Sequence, residues 1–537
     1  MKTTINLQRR RVLKYAALGI AGAVTYPSWG QMGGFVGVNK PSDDFLPDVE
    51  IELTMNPTEV AILSGEKTHV WKITGKVLNG PANVLNNNEG TYLAPTLHFK
   101  KGQKVRLRLN NNLPAPSILH WHGLHVPANM DGNPMYAINR GETYIYEFEI
   151  LNRAGTYFYH SHTHSVTARQ VYSGLAGLLI VSDDHEQALN LPGGELDIPL
   201  VIQDRSFDQQ NQLLYSANMM QRMNGFLGDQ ILVNGRPDFT LSVATRAYRL
   251  RLVNGSNSRI YKLAWNDGTP ITVIGVDGGL LEHPEQHAYV MLAPGERLEL
   301  WMDFSGRAIG TELTLRSLQF SATGHGGMGM MGGMHRGMMG GGMMGGGMMS
   351  VSALPSGSDY PILKIRVAKK EQDSHSLPKT LTPITALRVK DAANATQPRT
   401  ISLSMQHMSA LLNGRSYKMD DIQPDEIIPV NSLQVIEFDN GFGGGMHGMM
   451  MSMPHPMHLH GEQFQIVKRE INSGSSDSYA TVANGLVQSG WKDTVLVMPG
   501  EKVTILKPFN DFKGLFMYHC HNLEHEDMGM MRDFLIK

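Results

Sequence analysis

Residues 519–530 read HCHNLEHEDMGM and include the only cysteine of the 537-residue chain. The preceding residues 515–518 are LFMY, an apolar and aromatic run that predicts a β-strand continuing into the motif. Side chains alternate between the two faces of a strand, so His519 and His521 share one face and Cys520 points to the other. If all three side chains bind metal, this tripeptide joins two separate metal centres by a short covalent path.

The face of Cys520 carries the ligands of a blue-copper electron-transfer site. Such a site combines a cysteine thiolate, two imidazoles and a weakly bound axial methionine. Cys520, His525 and Met530 supply three of these four ligands within one short stretch. The nearest further histidines lie in HPMHLH at 455–460. We assign His455 to this copper, because a proline separates it from the other two histidines of that motif.

Histidine pairs with one intervening residue predict the second metal centre. A single pair of this spacing carries little weight, but several pairs, one of them enclosing the only cysteine, favour a shared centre. Eight imidazoles are too many for one copper or zinc ion and suit three coppers, two with three histidines each and one with two. The pairs are His120 and His122, His160 and His162, His458 and His460, and His519 and His521.

These motifs resemble those of the multicopper oxidases, specifically the branch of bacterial periplasmic cuprous oxidases and laccases that includes the copper-efflux oxidases. The resemblance covers essentially the whole mature chain. It implies four copper ions, one of type 1, one of type 2 and two of type 3. We expect the enzyme to be a monomer. The matching stretches are HWHG at 120–123, FYHSH at 158–162, HPMHLHG at 455–461 and HCHNLEHEDMGMM at 519–531, with softer matches at 94–97 and 491–501.

The resemblance also implies how the ligands divide and what reaction they serve. A reducing substrate gives single electrons to the type 1 copper, and these pass through Cys520 to the flanking histidines. At the three-copper cluster O2 is reduced by four electrons to two water molecules. The implied ligands are His120 and His458 for type 2 copper, His122, His160 and His521 for one type 3 copper, and His162, His460 and His519 for the other.

Two carboxylates match the acidic positions of the family. Oxygen reduction consumes protons, so a carboxylate close to the cluster has to relay them. Glu526, beside His525, and Asp131, after the first histidine pair, are the candidates for this catalytic role. For each, the alternatives are a solvated surface charge or a hydrogen-bond partner that orients a metal ligand.

The N-terminal residues 1–30 resemble a twin-arginine signal peptide. Arg9, Arg10 and Arg11 precede an apolar stretch at 15–24 that is too short to span a bilayer. A basic anchor lying on the membrane is the alternative. We expect a periplasmic protein with no membrane attachment in its mature form. The formal net charge of −2 and the lack of a basic block argue against binding to nucleic acid.

The rest of the chain predicts an all-β protein of three cupredoxin-like Greek-key β-sandwich domains. Short alternating segments separated by turns, such as 143–150, are typical of half-buried strands, and the family resemblance names the domain type. The second domain has no histidine pair, so we expect it to act as a spacer while the cluster lies between the other two. The predicted domains are 45–186, 195–368 with a Gly/Met-rich insertion at 324–349, and 380–537 with the blue-copper site.

Methionine-rich segments at 324–349 and 443–453 point to the substrate. Thioethers prefer Cu(I), although a flexible low-complexity loop is the alternative interpretation. We expect Cu(I) to be oxidised, with phenols as side substrates. A laccase or ferroxidase with an organic or Fe(II) substrate is the alternative, and a non-catalytic copper store is disfavoured by ligands for three copper types. Candidate substrate-copper ligands are Met405, Met408, Met451 and Met453, of which the first two lie in a stretch resembling the substrate site of cuprous oxidases.

Overall fold

A computed structural model gives the structure of the chain. The described residues are 38–215, 218–322, 352–406, 409–441 and 453–537. Several sequence predictions lie outside them, namely the signal peptide 1–30, the insertion 324–349, most of 443–453, Met408 and Met451. In the part of the chain that the structure describes, no helix has the length and apolar character needed to cross a membrane.

The first stretch of strands forms two sheets, in the orders β2-β1-β5-β7 and β3-β4-β9-β8-β6. The strands are β1 (Val49–Val60), β2 (Thr68–Asn79), β3 (Leu85–Asn86), β4 (Thr96–Lys100), β5 (Lys104–Asn111), β6 (Leu119–His120), β7 (Thr143–Glu149), β8 (Gly155–Ser161) and β9 (Ala176–Ser182). β1 alternates between buried and partly buried residues along most of its length, as expected for a strand with one face in a core.

The second stretch also forms two sheets, in the orders β11-β10-β13-β18-β15-β16 and β12-β20-β19-β14-β17. The strands are β10 (Asp197–Arg205), β11 (Gln230–Val233), β12 (Thr240–Ala244), β13 (Ala247–Asn254), β14 (Tyr261–Trp265), β15 (Ile271–Val276), β16 (Gly279–His287), β17 (Val290–Leu292), β18 (Arg297–Asp303), β19 (Glu312–Ser317) and β20 (Tyr360–Lys369). Aliphatic and aromatic side chains from both sheets form a shared core.

The third stretch repeats the arrangement, with sheets in the orders β22-β21-β24-β28-β26 and β23-β30-β29-β25-β27. The strands are β21 (Arg399–Gln406), β22 (Ser409–Leu412), β23 (Ile427–Ile428), β24 (Ser432–Asp439), β25 (His455–Leu459), β26 (Gln465–Ile471), β27 (Thr494–Val497), β28 (Glu501–Phe509), β29 (Gly514–Cys520) and β30 (Met531–Ile536). The predicted all-β class is confirmed.

Each stretch opens with a strand that pairs in parallel with a later strand of the same stretch, β1 with β5, β10 with β13 and β21 with β24. A parallel pair needs a crossover connection, which Greek-key sandwiches contain and simple meanders lack. Short α-helices connect some strands. They are α1 (Thr167–Ser173), α2 (Asp184–Ala188), α3 (Met219–Asn224), α4 (Ser476–Ala480) and α5 (Leu523–Asp527).

The strand register places the histidine motifs side by side. His120 on β6 lies opposite His160 on β8, and His458 on β25 lies opposite His519 on β29. In the second strand pair, Cys520 lies opposite Met457 and faces the core of the third stretch. His458 and His519 therefore project from the opposite face of the sheet, away from that core and towards β6 and β8.

Candidate metal centre

Cys520 is fully buried between two imidazoles. Its Sγ lies 3.5 Å from His455 Nδ1 and 3.7 Å from His525 Nδ1. Met530 is also buried, and its carbonyl oxygen accepts a 3.0 Å hydrogen bond from the Cys520 amide. We call these four residues the blue-copper group. Burial raises the pKa of the Cys520 thiol, so a bound cation is needed to hold the thiolate form, which is the form that binds copper.

A single turn of helix brings His525 back to Cys520. The Asn522 side chain caps α5 by accepting from the His525 amide, a role that asparagine favours because its side-chain oxygen reaches the unpaired amides of the first turn. The Met530 amide donates a 2.9 Å hydrogen bond to the His525 carbonyl oxygen. Together, the helix cap and this hydrogen bond fold the chain so that Cys520, His525 and Met530 can all belong to one site.

The remaining eight histidines form the second group, which we call the histidine cluster. All eight are buried, and their ring nitrogens face one another across the space between β6, β8, β25 and β29. The Nε2–Nε2 distances are 3.3 Å for His120 and His458, 3.4 Å for His160 and His521, 3.2 Å for His162 and His519, and 3.2 Å for His460 and His519.

Three compact sets of possible ligand atoms stand out within the cluster. They are His122, His160 and His521, then His162, His460 and His519, and then His120, His458 and His460. The first two are the sets that the family resemblance assigns to the type 3 coppers, and the third contains the two type 2 histidines. The geometry brings every predicted histidine ligand together, and their division among copper ions stays a prediction.

Burial favours the neutral form of six of these imidazoles. It is the largest cause that holds the pKa values of six histidines well below the usual range, and charge on neighbouring imidazoles lowers them further; they are His122, His160, His162, His458, His460 and His521. Neutral imidazoles have a free lone pair and are the form that binds metal. The His122 Nδ1 is buried without a hydrogen-bond partner among the described residues, so its lone pair is available to an ion. The donor set therefore fits copper.

Asp493 orients two of the cluster histidines. Its Oδ1 lies 3.0 Å from His122 Nε2, and its carbonyl oxygen lies 2.9 Å from His458 Nδ1. A contact to the outer nitrogen of a ligating imidazole fixes the ring and its tautomer. Sequence reasoning missed this role, although the residue lies in the softer family match at 491–501. The side chain of Arg297 on β18 donates a 2.8 Å hydrogen bond to Asp493 Oδ1. The second stretch therefore supports the cluster in addition to separating the first and third stretches.

Both predicted acidic residues contact the cluster. Glu526 is buried, with Oε2 3.2 Å from His519 Nδ1 and Oε1 3.8 Å from His162 Nδ1. Neither oxygen makes an aligned hydrogen bond within the described residues. Asp131 Oδ2 lies 2.6 Å from His460 Nδ1. These positions exclude the alternative of solvated surface charges, and the relay role stays a prediction.

The candidate substrate-copper ligands are less well defined. Met405 is partly buried on β21, and the carbonyl oxygen of partly buried Met453 accepts a 2.8 Å hydrogen bond from Asn440. Met408 and Met451 lie outside the described residues. The described residues therefore do not test this site, which stays a prediction.

The chain also matches known proteins. Two models of the multicopper oxidase family match residues 69–186 and 390–537. The multicopper oxidase mco of Staphylococcus haemolyticus is 31% identical to this chain over 84% of the chain and 84% of the relative. The chain belongs to the multicopper oxidase family.

Solved multicopper oxidases share the fold. McoA of the hyperthermophile Aquifex aeolicus superposes with a TM-score of 0.72 at 31% identity, over 92% of this chain and 97% of McoA. The multicopper oxidase of Campylobacter jejuni, described as a metallo-oxidase, gives a TM-score of 0.69 at 25% identity, over 92% and 94%. These neighbours confirm the predicted cupredoxin-like fold. As a multicopper oxidase, the protein is a copper-dependent oxidoreductase that passes electrons from a reducing substrate to O2.

Proposed function

We propose that this multicopper oxidase is a periplasmic cuprous oxidase that oxidises Cu(I), with phenols as side substrates, and contributes to copper tolerance. The observation that carries the proposal is the distribution of methionine along the chain. The chain has 34 methionines, and two Gly/Met runs are especially rich in them. One of these runs leads directly to His455. Thioethers bind Cu(I) in preference to harder cations. The twin-arginine sequence at 9–11 supports export, and the metallo-oxidase of Campylobacter jejuni supports a metal substrate.

The residues present would hold four copper ions. The blue-copper group would hold the type 1 ion, His120 and His458 the type 2 ion, and the two remaining sets of three histidines the type 3 ions. Bound there, copper supplies one-electron oxidation of the substrate and four-electron reduction of O2 to water. The fully buried surroundings of both groups exclude bulk water from the reacting centre.

The chain itself connects the two groups of ligands. Cys520 lies in the blue-copper group, whereas its neighbours His519 and His521 lie in the histidine cluster. The Cys520 carbonyl oxygen also lies 3.2 Å from His519 Nδ1, which adds a non-covalent contact to the covalent path. A short strand segment thus joins the thiol that would hold the electron-accepting copper to the histidines of the cluster.

Replacing Glu526 with glutamine tests the proposed proton relay. Glutamine keeps the size of the side chain but cannot take up and release a proton, so we expect full copper loading and turnover lower by about 10²-fold. Copper content and O2 uptake are measured on the same samples. Glu462→Gln is the matched control, because Glu462 bonds Asn510 at the surface and should leave turnover unchanged. Unchanged turnover of a fully loaded Glu526→Gln enzyme removes Glu526 from the mechanism.

Steady-state O2 uptake with Cu(I), Fe(II) and a phenol tests the substrate. We expect Cu(I) to give the highest kcat/KM. Deleting 324–349 and replacing the methionines of 443–453 with serine should lower the value for Cu(I) by about tenfold or more, because ligands for the soft ion are lost. Phenol oxidation in the same variants is the internal control. A preference for Cu(I) that survives both changes contradicts the assigned role of the methionines, and a preference for Fe(II) or phenol contradicts the proposed substrate.

A further inference from the structure

Lys507 on β28 is a lysine inside the core of the third stretch. Side chains alternate along a strand, and the residues on its face of β28, Val503, Ile505 and Phe509, belong to the core that also contains Cys520. The Lys507 side chain is buried, and its Nζ has no hydrogen-bond partner among the described residues. The Nζ lies 5.3 Å from the centre of the Phe509 ring. The core therefore contains an ammonium group without a polar contact.

The ammonium group of Lys507 is costly where it lies. A buried charge without a partner destabilises the fold, and an apolar side chain of similar length would fill the same space without that cost. Burial lowers the pKa of Lys507 to about 8, and the charges of Glu462, Asp493 and Asp131 act in the opposite direction. The charged form therefore still predominates at pH 7. A buried charge that the fold does not need points to a functional role.

The end of β28 is tied to the segment of chain that leaves the histidine cluster. Asn510, three residues after Lys507, donates hydrogen bonds of 2.7 Å from its backbone amide and 2.6 Å from its side chain to the Glu462 carboxylate. Glu462 follows the cluster ligand His460 by two residues. Burial and neighbouring imidazoles lower the pKa of His460 most, and the charge of Lys507 lowers it further. The ammonium group thus lies close enough to act on a cluster ligand.

Two of the three carboxylates that act on Lys507 orient histidines of the cluster. Asp131 Oδ2 lies 2.6 Å from His460 Nδ1, and Asp493 Oδ1 lies 3.0 Å from His122 Nε2. The Lys507 Nζ makes no hydrogen bond to either carboxylate. A charge in a buried, low-dielectric region acts over a longer distance than one in water. Lys507 therefore places a positive charge on the side of the cluster that these two carboxylates hold.

We propose that Lys507 is a positioning residue for oxygen reduction, whose ammonium charge acts through space on the histidine cluster. Reduction of O2 places negative charge on oxygen before protons reach it, and a preorganised cation nearby stabilises that charge. The effect is electrostatic, with no proton or electron leaving the lysine. It applies to any reducing substrate, so it does not depend on Cu(I) being the substrate.

Azide binding to the oxidised, copper-loaded Lys507→Met enzyme tests this role. Methionine fills much of the lysine volume and removes the charge. Azide is a small anion that binds Cu(II), and it is titrated at pH 6, where the ammonium form predominates. We expect the variant to bind azide about tenfold more weakly, because the attraction between the ammonium group and the anion is lost. We also expect kcat to fall about tenfold with Cu(I) and with a phenol, at unchanged KM, because both substrates give electrons at the blue-copper group.

Denaturation of the metal-free protein separates an electrostatic role from a structural one. The pKa of Lys507 in the folded protein, about 8, lies below its ordinary value of 10.5. The charged form therefore favours unfolding, and the penalty is full below the folded pKa and disappears as the pH rises to the ordinary value. Metal-free Lys507→Met should be more stable than wild type at pH 7, and the difference should close by about pH 10.5.

Lys468→Met is the matched control, because Lys468 lies on the neighbouring strand β26 with its side chain 61% exposed. It should leave azide binding, turnover and stability nearly unchanged. Copper content is measured on every sample. Unchanged azide affinity in fully loaded Lys507→Met enzyme overturns the proposed role. A variant that binds less copper, or whose metal-free form is less stable than wild type at pH 7, also overturns it, because Lys507 then supports the fold or the assembly of the cluster.

Discussion

Replacing Cys520 with serine is expected to abolish oxidation of every reducing substrate while the histidine cluster keeps its copper. Serine has nearly the same shape, but its hydroxyl does not replace a thiolate as a ligand for blue copper. Since the blue-copper group acts as a unit, we expect kcat to fall by at least about a thousandfold. The measurements are copper content, the blue absorption band, and O2 uptake with Cu(I) and a phenol. The variant should lose the band and one copper ion.

Met457→Leu is the control for disturbance of the surrounding core. Met457 lies directly opposite Cys520 on the neighbouring strand and is fully buried. A swap of similar volume costs less than about 1.5 kcal/mol, so colour and turnover should be retained. A Cys520→Ser enzyme that keeps near-normal turnover contradicts the role of the thiol as a ligand of the electron-accepting copper.

The sequence alone was sufficient to predict those features of the site whose geometry depends only on neighbouring residues. Alternation along β29 separates Cys520 from His519 and His521 because side-chain direction on a strand follows from neighbouring residues alone. The asparagine cap of α5 likewise lies within the motif it organises. The pairing partners of the strands were not predictable from the same pattern. Alternation is identical for parallel and antiparallel strands, so the parallel pairing of β1 with β5 depends on the whole fold.

Contacts between segments that are far apart in the sequence could be identified only from the structure. Arg297 reaches Asp493 across 196 residues of sequence, and nothing near Arg297 resembles a metal motif. The hydrogen bond from His525 to Met223 is accepted by a backbone carbonyl oxygen. Every residue has such an oxygen, so neither the composition nor the motif spacing of the sequence could indicate this contact. The second stretch was therefore predicted only as a spacer, although it contacts both metal-binding groups.

Arg297→Met is expected to destabilise the protein and disturb the histidine cluster together. Arg297 and Asp493 are both fully buried, and Asp493 also contacts His122. Methionine fills much of the arginine volume but leaves the Asp493 carboxylate without its cation. Removing one partner of a buried ion pair costs about 3–5 kcal/mol of unfolding free energy, because the remaining charge stays desolvated. Equilibrium denaturation of the metal-free protein measures this loss separately from copper binding.

Arg316→Met is the matched control, because Arg316 pairs with Asp359 near the surface, where the side chains are 34% and 44% exposed. Exposed pairs contribute about 0–1 kcal/mol, so this variant should unfold almost as the parent does. Arg297→Met should in addition bind less copper, since the carboxylate that orients His122 has lost its anchor. Equal stability of the two variants contradicts the role of the Arg297 pair in stability. If Arg297→Met is less stable but keeps full copper, the pair supports the fold without positioning the cluster.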